Sequence, residues 1–311
     1  MAINSISIVT PCYNEAENVQ ELHERVLKVM SSLDVIYEHI FIDNASTDRT
    51  VEILKEIVAH DNRVKIIVNT RNFGHIRSHC HGLLQARGEA VISIVADLQD
   101  PPEMIVDFIR KWEHGYKIVI GVKEKSEESP FFFAVRKFYY NLIGKLSEIS
   151  LIKNFTGFGL YDQKVIEIMR QIDDPYPYFR GLICDIGFER AEIPYTQPVR
   201  RRGFTKNNFY TLYDIAMLGI TNHSKVPLRL ATMTGFAVAF FSLFVAFGYF
   251  LVKLFFWNIF TLGFAPLVIG LFFFGSVQLF FIGIIGEYIG SIHTQVLKRP
   301  LVVEKERVNF D

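Results

Sequence analysis

Over roughly its first 120 residues the chain alternates between short apolar runs and segments whose apolar positions recur every three or four residues. Ile6–Thr10, His39–Ile42, Val64–Val68, Ala90–Val95 and Lys117–Gly121 have the pattern of strands. Between them, Glu15–Ser32, Ser46–His60, Ile76–Ala86 and Glu103–His114 have the pattern of helices. Val19, Leu22, Val26, Leu27 and Met30 make the apolar stripe of the first helix. Ser46, Thr47 and Asp48 are cap candidates for the second, with Ser46 favoured. Alternation at this spacing predicts a parallel α/β sheet with crossover helices. Such sheets bind ligands beyond the carboxyl ends of their strands. Three predicted strand ends are polar in that way: Pro11-Cys12-Tyr13-Asn14-Glu15, Asp43-Asn44-Ala45-Ser46 and Asp97-Leu98-Gln99-Asp100.

Toward the C-terminus the pattern changes. No charged residue occurs from Leu230 to Val252, and none from Leu254 to Gly286. Each run can supply the roughly 20 apolar residues that cross a bilayer. Two transmembrane helices are therefore predicted, at 230–252 and 264–286, with Lys253, Trp257, Asn258, Gly263 and Pro266 marking the turn. A polar N-terminal half could not cover two such runs as a soluble core hairpin. Lys225 and Arg229 precede the first run, and Lys298, Arg299, Lys305 and Arg307 follow the second. The positive-inside rule then puts both ends in the cytoplasm, giving a two-span protein of the cell inner membrane. Met1 leads directly into a strand pattern, so no signal peptide is expected. The predicted division is a cytoplasmic domain over 1–206, a juxtamembrane amphipathic helix over 207–228, the hairpin over 229–290 and a cytoplasmic tail over 291–311. Within the first, Phe131–Ile152 interleaves Phe131, Phe132, Phe133, Phe138, Tyr139 and Tyr140 with Arg136, Lys137 and Lys145. That composition fits a helix lying in the membrane interface or an aromatic-rich helix packed on the domain.

Composition adds three limits. Lys plus Arg and Asp plus Glu both total 33, so net charge offers nothing to a nucleic acid. The hydrophobic fraction of 50% and the 29 Phe are high for a soluble enzyme, and the excess sits in the two charge-free runs. Cys12, Cys80 and Cys184 are scattered and odd in number, which suits a reducing compartment and provides no zinc spacing.

The candidate chemistry gathers in Val95-Ala96-Asp97-Leu98-Gln99-Asp100-Pro101-Pro102-Glu103. A strand end carrying a carboxylate and an amide is a place for a divalent ion and a diphosphate. Asp100 and Glu103 read as entry to the next helix, with Pro101 and Pro102 fixing its first turn. Val95 stands where a D-x-D pattern would have a second carboxylate. Four cations surround Gly203 in Arg200-Arg201-Arg202-Gly203-Phe204-Thr205-Lys206. They could cage phosphate oxygens, or touch anionic lipid ahead of the membrane helices.

Taken together, Pro11–Glu15, Asp43–Asp48, Arg71-Asn72-Phe73-Gly74 and Asp97–Glu103 resemble the family 2 glycosyltransferases. The closer likeness is to the polyprenyl-phosphate branch, with its dolichol-phosphate mannose synthases and bactoprenol glucosyltransferases. Arg200–Lys206 looks like that branch's R-x-x-G-x-(S/T)-K loop. Gly286-Glu287-Tyr288-Ile289-Gly290, followed by Lys298-Arg299-Pro300, looks like the close of its second membrane helix. The likeness covers nearly the whole chain.

The resemblance implies an α/β, GT-A-like (Rossmann-like) nucleotide-sugar-binding domain followed by interfacial helices and a two-helix transmembrane hairpin. It implies an inverting hexosyltransferase that moves sugar from a nucleotide donor, UDP-linked by expectation, to polyprenyl phosphate at the cytoplasmic membrane face. Residues matching Pro11, Tyr13, Asn14, Glu15 and Asp43 hold the nucleoside. Arg71 either approaches the nucleotide or pairs with an acid inside the domain. Asp97, with Gln99 as neutral oxygen ligand, would hold magnesium or manganese. Arg200 and Lys206 would engage phosphate and, with Asp97, carry the reaction. Membrane lipid is the remaining partner, and a homo-oligomer is left open.

Two positions depart from the branch. Its D-A-D is Val95-Ala96-Asp97 here, and the acid and arginine of its G-D-F-R-L segment fall on Gly157 and Gly159. The base assigned to that acid is not carried over. A phosphate monoester, with its second pKa at about 6, is already a mostly ionised nucleophile at neutral pH. It needs general-base help far less than a sugar hydroxyl does, so the missing acid favours a phosphate acceptor. Two alternatives are a transferase acting on a glycan or another lipid, and a non-catalytic nucleotide-sugar-binding membrane protein. Val95 and Gly157 support the latter.

Overall fold

The computed structural model describes residues 3–124, 152, 154–198, 209–256 and 264–310. Eight strands form one sheet: β1 Ser5–Cys12, β2 Ile36–Asp43, β3 Val64–Asn69, β4 Ala90–Ser93, β5 Ile118–Lys123, β6 Phe155–Asp162, β7 Arg190–Tyr195 and β8 Glu304–Val308. Their order is β7-β5-β6-β4-β1-β2-β3-β8. The crossover helices are α1 Val19–Met30, α2 Thr50–His60, α3 His75–Gln85 and α4 Ile105–Glu113, the last entered through a 3-10 turn at Pro102–Met104. After β6 come α5 Gln163–Ile172 and α6 Phe179–Asp185.

Alternation along the strands separates two apolar layers. Ile6, Ile8, Phe41, Ile66 and Ile92 face α1, α2 and α4 through Leu22, Val26, Leu54 and Phe108. Val9, Ile40, Ile42, Ile67 and Val91 face α3, α5 and α6 through Leu83, Ile166 and Leu182. Burial on both faces explains why these strands read as continuous apolar runs.

The fully parallel sheet expected from the alternation is corrected to a mixed one. β6 runs antiparallel to both β4 and β5 and separates them. Gly159 makes this insertion possible: a Cβ there would lie 2.4 Å from the Val119 carbonyl oxygen of β5. The second exception is β8, which returns from the C-terminal end of the chain to pair antiparallel with β3. Residues 304–308 are thus an edge strand of the sheet. α1 also starts four residues later than its pattern suggested, because Glu15 accepts from the amides of Asn18 and Val19 in a turn that belongs to the β1 loop.

The remaining helices are α7 Phe209–His223, α8 Val226–Phe255 and α9 Phe264–Leu297. Val226–Val245 and Gly270–Leu297 are long and apolar enough to cross a membrane. Phe236, Phe240, Phe241, Phe244, Phe272 and Phe280 project outward from α8 and α9. An exposed apolar surface of this extent suits contact with lipid or with another apolar surface better than with water. Tyr288 near the end of α9 donates its hydroxyl to the Ser224 carbonyl at 2.5 Å, tying α9 to the α7–α8 junction. Phe131–Leu151 and Arg200–Lys206 lie outside the described residues.

Candidate functional site

The carboxyl ends of β1, β2, β3 and β4 open on the same edge of the sheet, because these four strands are parallel. Three of the loops that follow contain a residue in the left-handed region: Asn14 (φ 55°), Ala45 (φ 61°) and Leu98 (φ 60°). Asn tolerates that conformation, whereas Ala and Leu pay of order 1 kcal/mol or more for it. Strain held at two strand ends that flank β1 is a mark of a functional edge.

A polar clamp joins the β1 and β2 loops. Asn14 donates its amide N–H to Ser46 Oγ at 2.8 Å, and its side-chain oxygen accepts from the Thr47 amide at 2.7 Å. The Glu15 amide donates to Thr50 Oγ1 at 2.9 Å. Asp43 is fully buried, and its carboxylate accepts from the Ser46 amide at 2.9 Å and from the Ser46 hydroxyl. Burial raises its pKa even though the Ser46 bonds oppose the shift. Ser46 was expected to cap α2, but its hydroxyl is spent on Asp43 and Asn14. Asp48 covers the helix entry instead, accepting from the Thr50 amide at 3.0 Å and its hydroxyl at 2.5 Å. Those bonds outweigh the opposing effect of burial and lower its pKa.

At β3 the ends are tied by amides. Asn44 accepts from the Phe73 amide at 2.9 Å and donates to Asn72 Oδ1 at 2.9 Å, while Asn72 accepts from the Gly74 amide at 2.8 Å. Asn69 reaches both Asn44 and Ser78 at 3.2 Å. This asparagine net was not singled out in the sequence, although three Asn at two adjacent strand ends was a readable signal. Among the described residues Arg71 has no acid beside it; it stacks on Phe73, with Cζ 4.0 Å from the ring centroid.

Asp97 stands half-exposed past β4, with Oδ1 accepting the Gln99 amide at 3.1 Å. Gln99 donates from Nε2 toward the Pro198 carbonyl at 3.5 Å. Among the described residues, Asp97 Oδ2 and the Gln99 side-chain oxygen have no partner. Two hard oxygen donors on one strand end suit magnesium or manganese, ions that keep waters and substrate phosphates as further ligands. No group of three or more His, Cys, Asp or Glu side chains assembles as a metal site among the described residues. The nearest carboxylate in sequence, Asp100, is turned inward, 2% exposed, accepting from the Tyr195 hydroxyl at 2.8 Å. Burial pushes it up to about 6. Glu103 forms a two-pronged ion pair with Arg25 of α1, at 2.7 and 3.1 Å. Both acids are committed to contacts within the domain.

Across the edge, the start of β6 brings Gly157 beside His79 and Phe179; a Cβ on it would stand 3.6 Å from the Phe179 ring and 3.7 Å from His79 Cε1. His79 is bonded to Ser93 Oγ at 2.7 Å, and burial drives its pKa down to about 4, so it stays neutral. Sequence reasoning missed it. Pro11 pairs with Ile42 inside the ladder, and Tyr13 is half-buried in the loop between Cys12 and Asn14. Arg200 and Lys206 lie outside the described residues.

Residues 7–170 match Glycosyl transferase family 2. An uncharacterized glycosyltransferase of Bacillus subtilis (strain 168) is 36% identical over 306 residues, covering 98% of this chain and 94% of its own length. A bactoprenol glucosyl transferase of Shigella phage SfII is 32% identical over 302 residues, 97% of each chain. Among solved structures, glucosyl-3-phosphoglycerate synthase from Mycobacterium tuberculosis with Mn2+, uridine-diphosphate-glucose and phosphoglyceric acid aligns at a TM-score of 0.46. It is 19% identical, over 70% of this chain and 78% of that one. The mixed sheet with helices on both faces is a GT-A-like fold, and the chain belongs to glycosyltransferase family 2, an enzyme family that transfers sugars.

Proposed function

We propose that this glycosyltransferase moves a hexose from a UDP-sugar to a polyprenyl phosphate at the cytoplasmic face of the membrane. The observation that carries the reading is the juxtaposition of a nucleotide-sugar-type strand edge with two helices of membrane-crossing length and composition in one chain. Likeness over nearly the full length to a protein named bactoprenol glucosyl transferase supports the same acceptor class.

In this reading the clamped loops at Asn14, Glu15 and Asp43 hold the nucleoside. Asp97 and Gln99 would hold magnesium or manganese, which would supply the positive charge that neutralises the departing diphosphate. Pro11 and Tyr13 complete the nucleotide side, and Arg200 and Lys206 engage phosphate. The ionised acceptor oxygen attacks the anomeric carbon from the face opposite the diphosphate. The bond from that carbon to the diphosphate breaks with its electron pair on the leaving oxygen, so the configuration inverts. No proton has to leave the nucleophile, which removes the need for an acid where Gly157 stands. The test is purified protein with Mg2+ or Mn2+, labelled UDP-hexose and polyprenyl phosphate. Label entering the lipid phase is the expected result, and label that stays aqueous with every hexose tried would end the proposal.

A further inference from the structure

Many of the surface arginines pair with acids, while others, such as Arg170 and Arg180, bond backbone carbonyls. Arg25, Arg49, Arg63, Arg110, Arg190 and Arg307 each lie against a carboxylate. Three arginines without a carboxylate partner gather in one place. Arg71, exposed after β3, and Arg77, in the first turn of α3, flank the same Phe73 ring, with Cζ atoms 4.0 and 5.4 Å from its centroid. Arg77 donates from Nη2 to the Pro300 carbonyl, next in the chain to the exposed Arg299. Its Nε is buried and has no hydrogen-bond partner among the described residues. Nor, among those residues, does a carboxylate pair with any of the three. Burial and then Arg71 disfavour the charge on Arg77; Tyr176 favours it and Arg299 disfavours it.

Like charges gathered around an unmade donor bond are costly in isolation, and an anion relieves both costs at once. Guanidinium forks match the oxygens of a phosphate. The amino end of α3 adds a partial positive charge to the same spot. Position separates this cluster from the rest of the edge. β3 lies three strands from β4, about 14 Å at ordinary strand spacing, so a phosphate here is not the diphosphate beside Asp97.

We propose that Arg71, Arg77 and Arg299 form a second phosphate site, which takes a phosphate monoester. Its source is either a prenyl phosphate lifted from the membrane toward the transfer edge or free phosphate from the cytoplasm. Only the prenyl source rests on the transferase reading above.

The test needs no turnover. Full-length protein in detergent is titrated with inorganic phosphate and with a short-chain prenyl monophosphate, without donor, alongside a separate UDP titration. Arg77→Gln and the exposed Arg299→Gln should each weaken binding of the phosphate ligand by at least about tenfold. Arg77→Lys should weaken it less, and UDP affinity should not move. Preference for the prenyl ligand identifies the acceptor as the source; equal affinity for inorganic phosphate identifies the cytoplasm. Asp97→Ala should keep the phosphate site, so loss of transfer and loss of this site are separable. Wild type that binds neither ligand, glutamine variants that bind like wild type, or UDP affinity that falls in step would each overturn the assignment.

Discussion

Replacing Asp100 by Asn should change the pH dependence of stability in a calculable way. The carboxyl is 2% exposed, receives one hydrogen bond from Tyr195, and titrates at about 6 in place of 3.8, mainly because burial disfavours its charge. The folded state therefore holds a proton that the unfolded chain has released between those two values. Stability from this group is intact below 3.8 and is lost as pH rises through 6. The gap corresponds to about 3 kcal/mol, of which about 2.5 kcal/mol develops between roughly pH 4 and 7.5. An amide keeps an acceptor for Tyr195 and cannot ionise. Thermal unfolding of both proteins in the same detergent, at both pH values, isolates the difference from every other titrating group. The Asp100→Asn variant should gain about 2.5 kcal/mol on wild type as pH rises, on the order of 5–10 °C in midpoint. A difference that stays constant across this range would refute the claim that Asp100 is buried and costly when charged.

Other expectations follow from the same geometry. Ser46→Ala removes the hydroxyl that bonds Asp43 and accepts from Asn14. It should cost roughly 2–4 kcal/mol of thermal stability and weaken UDP binding in titration calorimetry. Glu103→Gln breaks a largely exposed pair with Arg25, so stability should fall by no more than about 1 kcal/mol and transfer should be unchanged. Gly159→Ala drives a Cβ into the Val119 carbonyl of the neighbouring strand; a destabilisation of about 3 kcal/mol or more should appear in denaturant melts. A chelator should abolish transfer, with added Mg2+ or Mn2+ restoring it.

The sequence announced those parts of the fold that local periodicity controls. β1 to β5 and their helices fall where the apolar runs place them, because each strand is buried on both faces between α1, α2 and α4 and α3, α5 and α6. Strand partnership was not legible. β6 enters between β4 and β5 through a glycine that reads in sequence only as a departure from a family pattern. β8 pairs with β3 across more than 200 residues of chain, and nothing local in Glu304–Val308 points to that partner. The edge itself was readable at Asp97 and Gln99, since a strand end with hard oxygen donors is a short-range pattern. The commitment of Asp43 to Ser46 and of Asp100 to Tyr195 depends on burial, which spacing alone does not reveal. Arg71 was read as approaching the nucleotide or pairing with an acid. Its surroundings, Phe73, Arg77 and Arg299, come from three segments that only the fold brings together.

The central claim is that Asp97 is the acid through which this glycosyltransferase handles the donor diphosphate. Transfer of labelled hexose from UDP-hexose into polyprenyl phosphate, measured for wild type, Asp97→Ala and Val95→Asp at fixed Mg2+ or Mn2+, tests it most directly. Asp97→Ala should lose at least about 100-fold in rate, while Val95→Asp keeps or raises it. Full activity in Asp97→Ala would contradict the assignment.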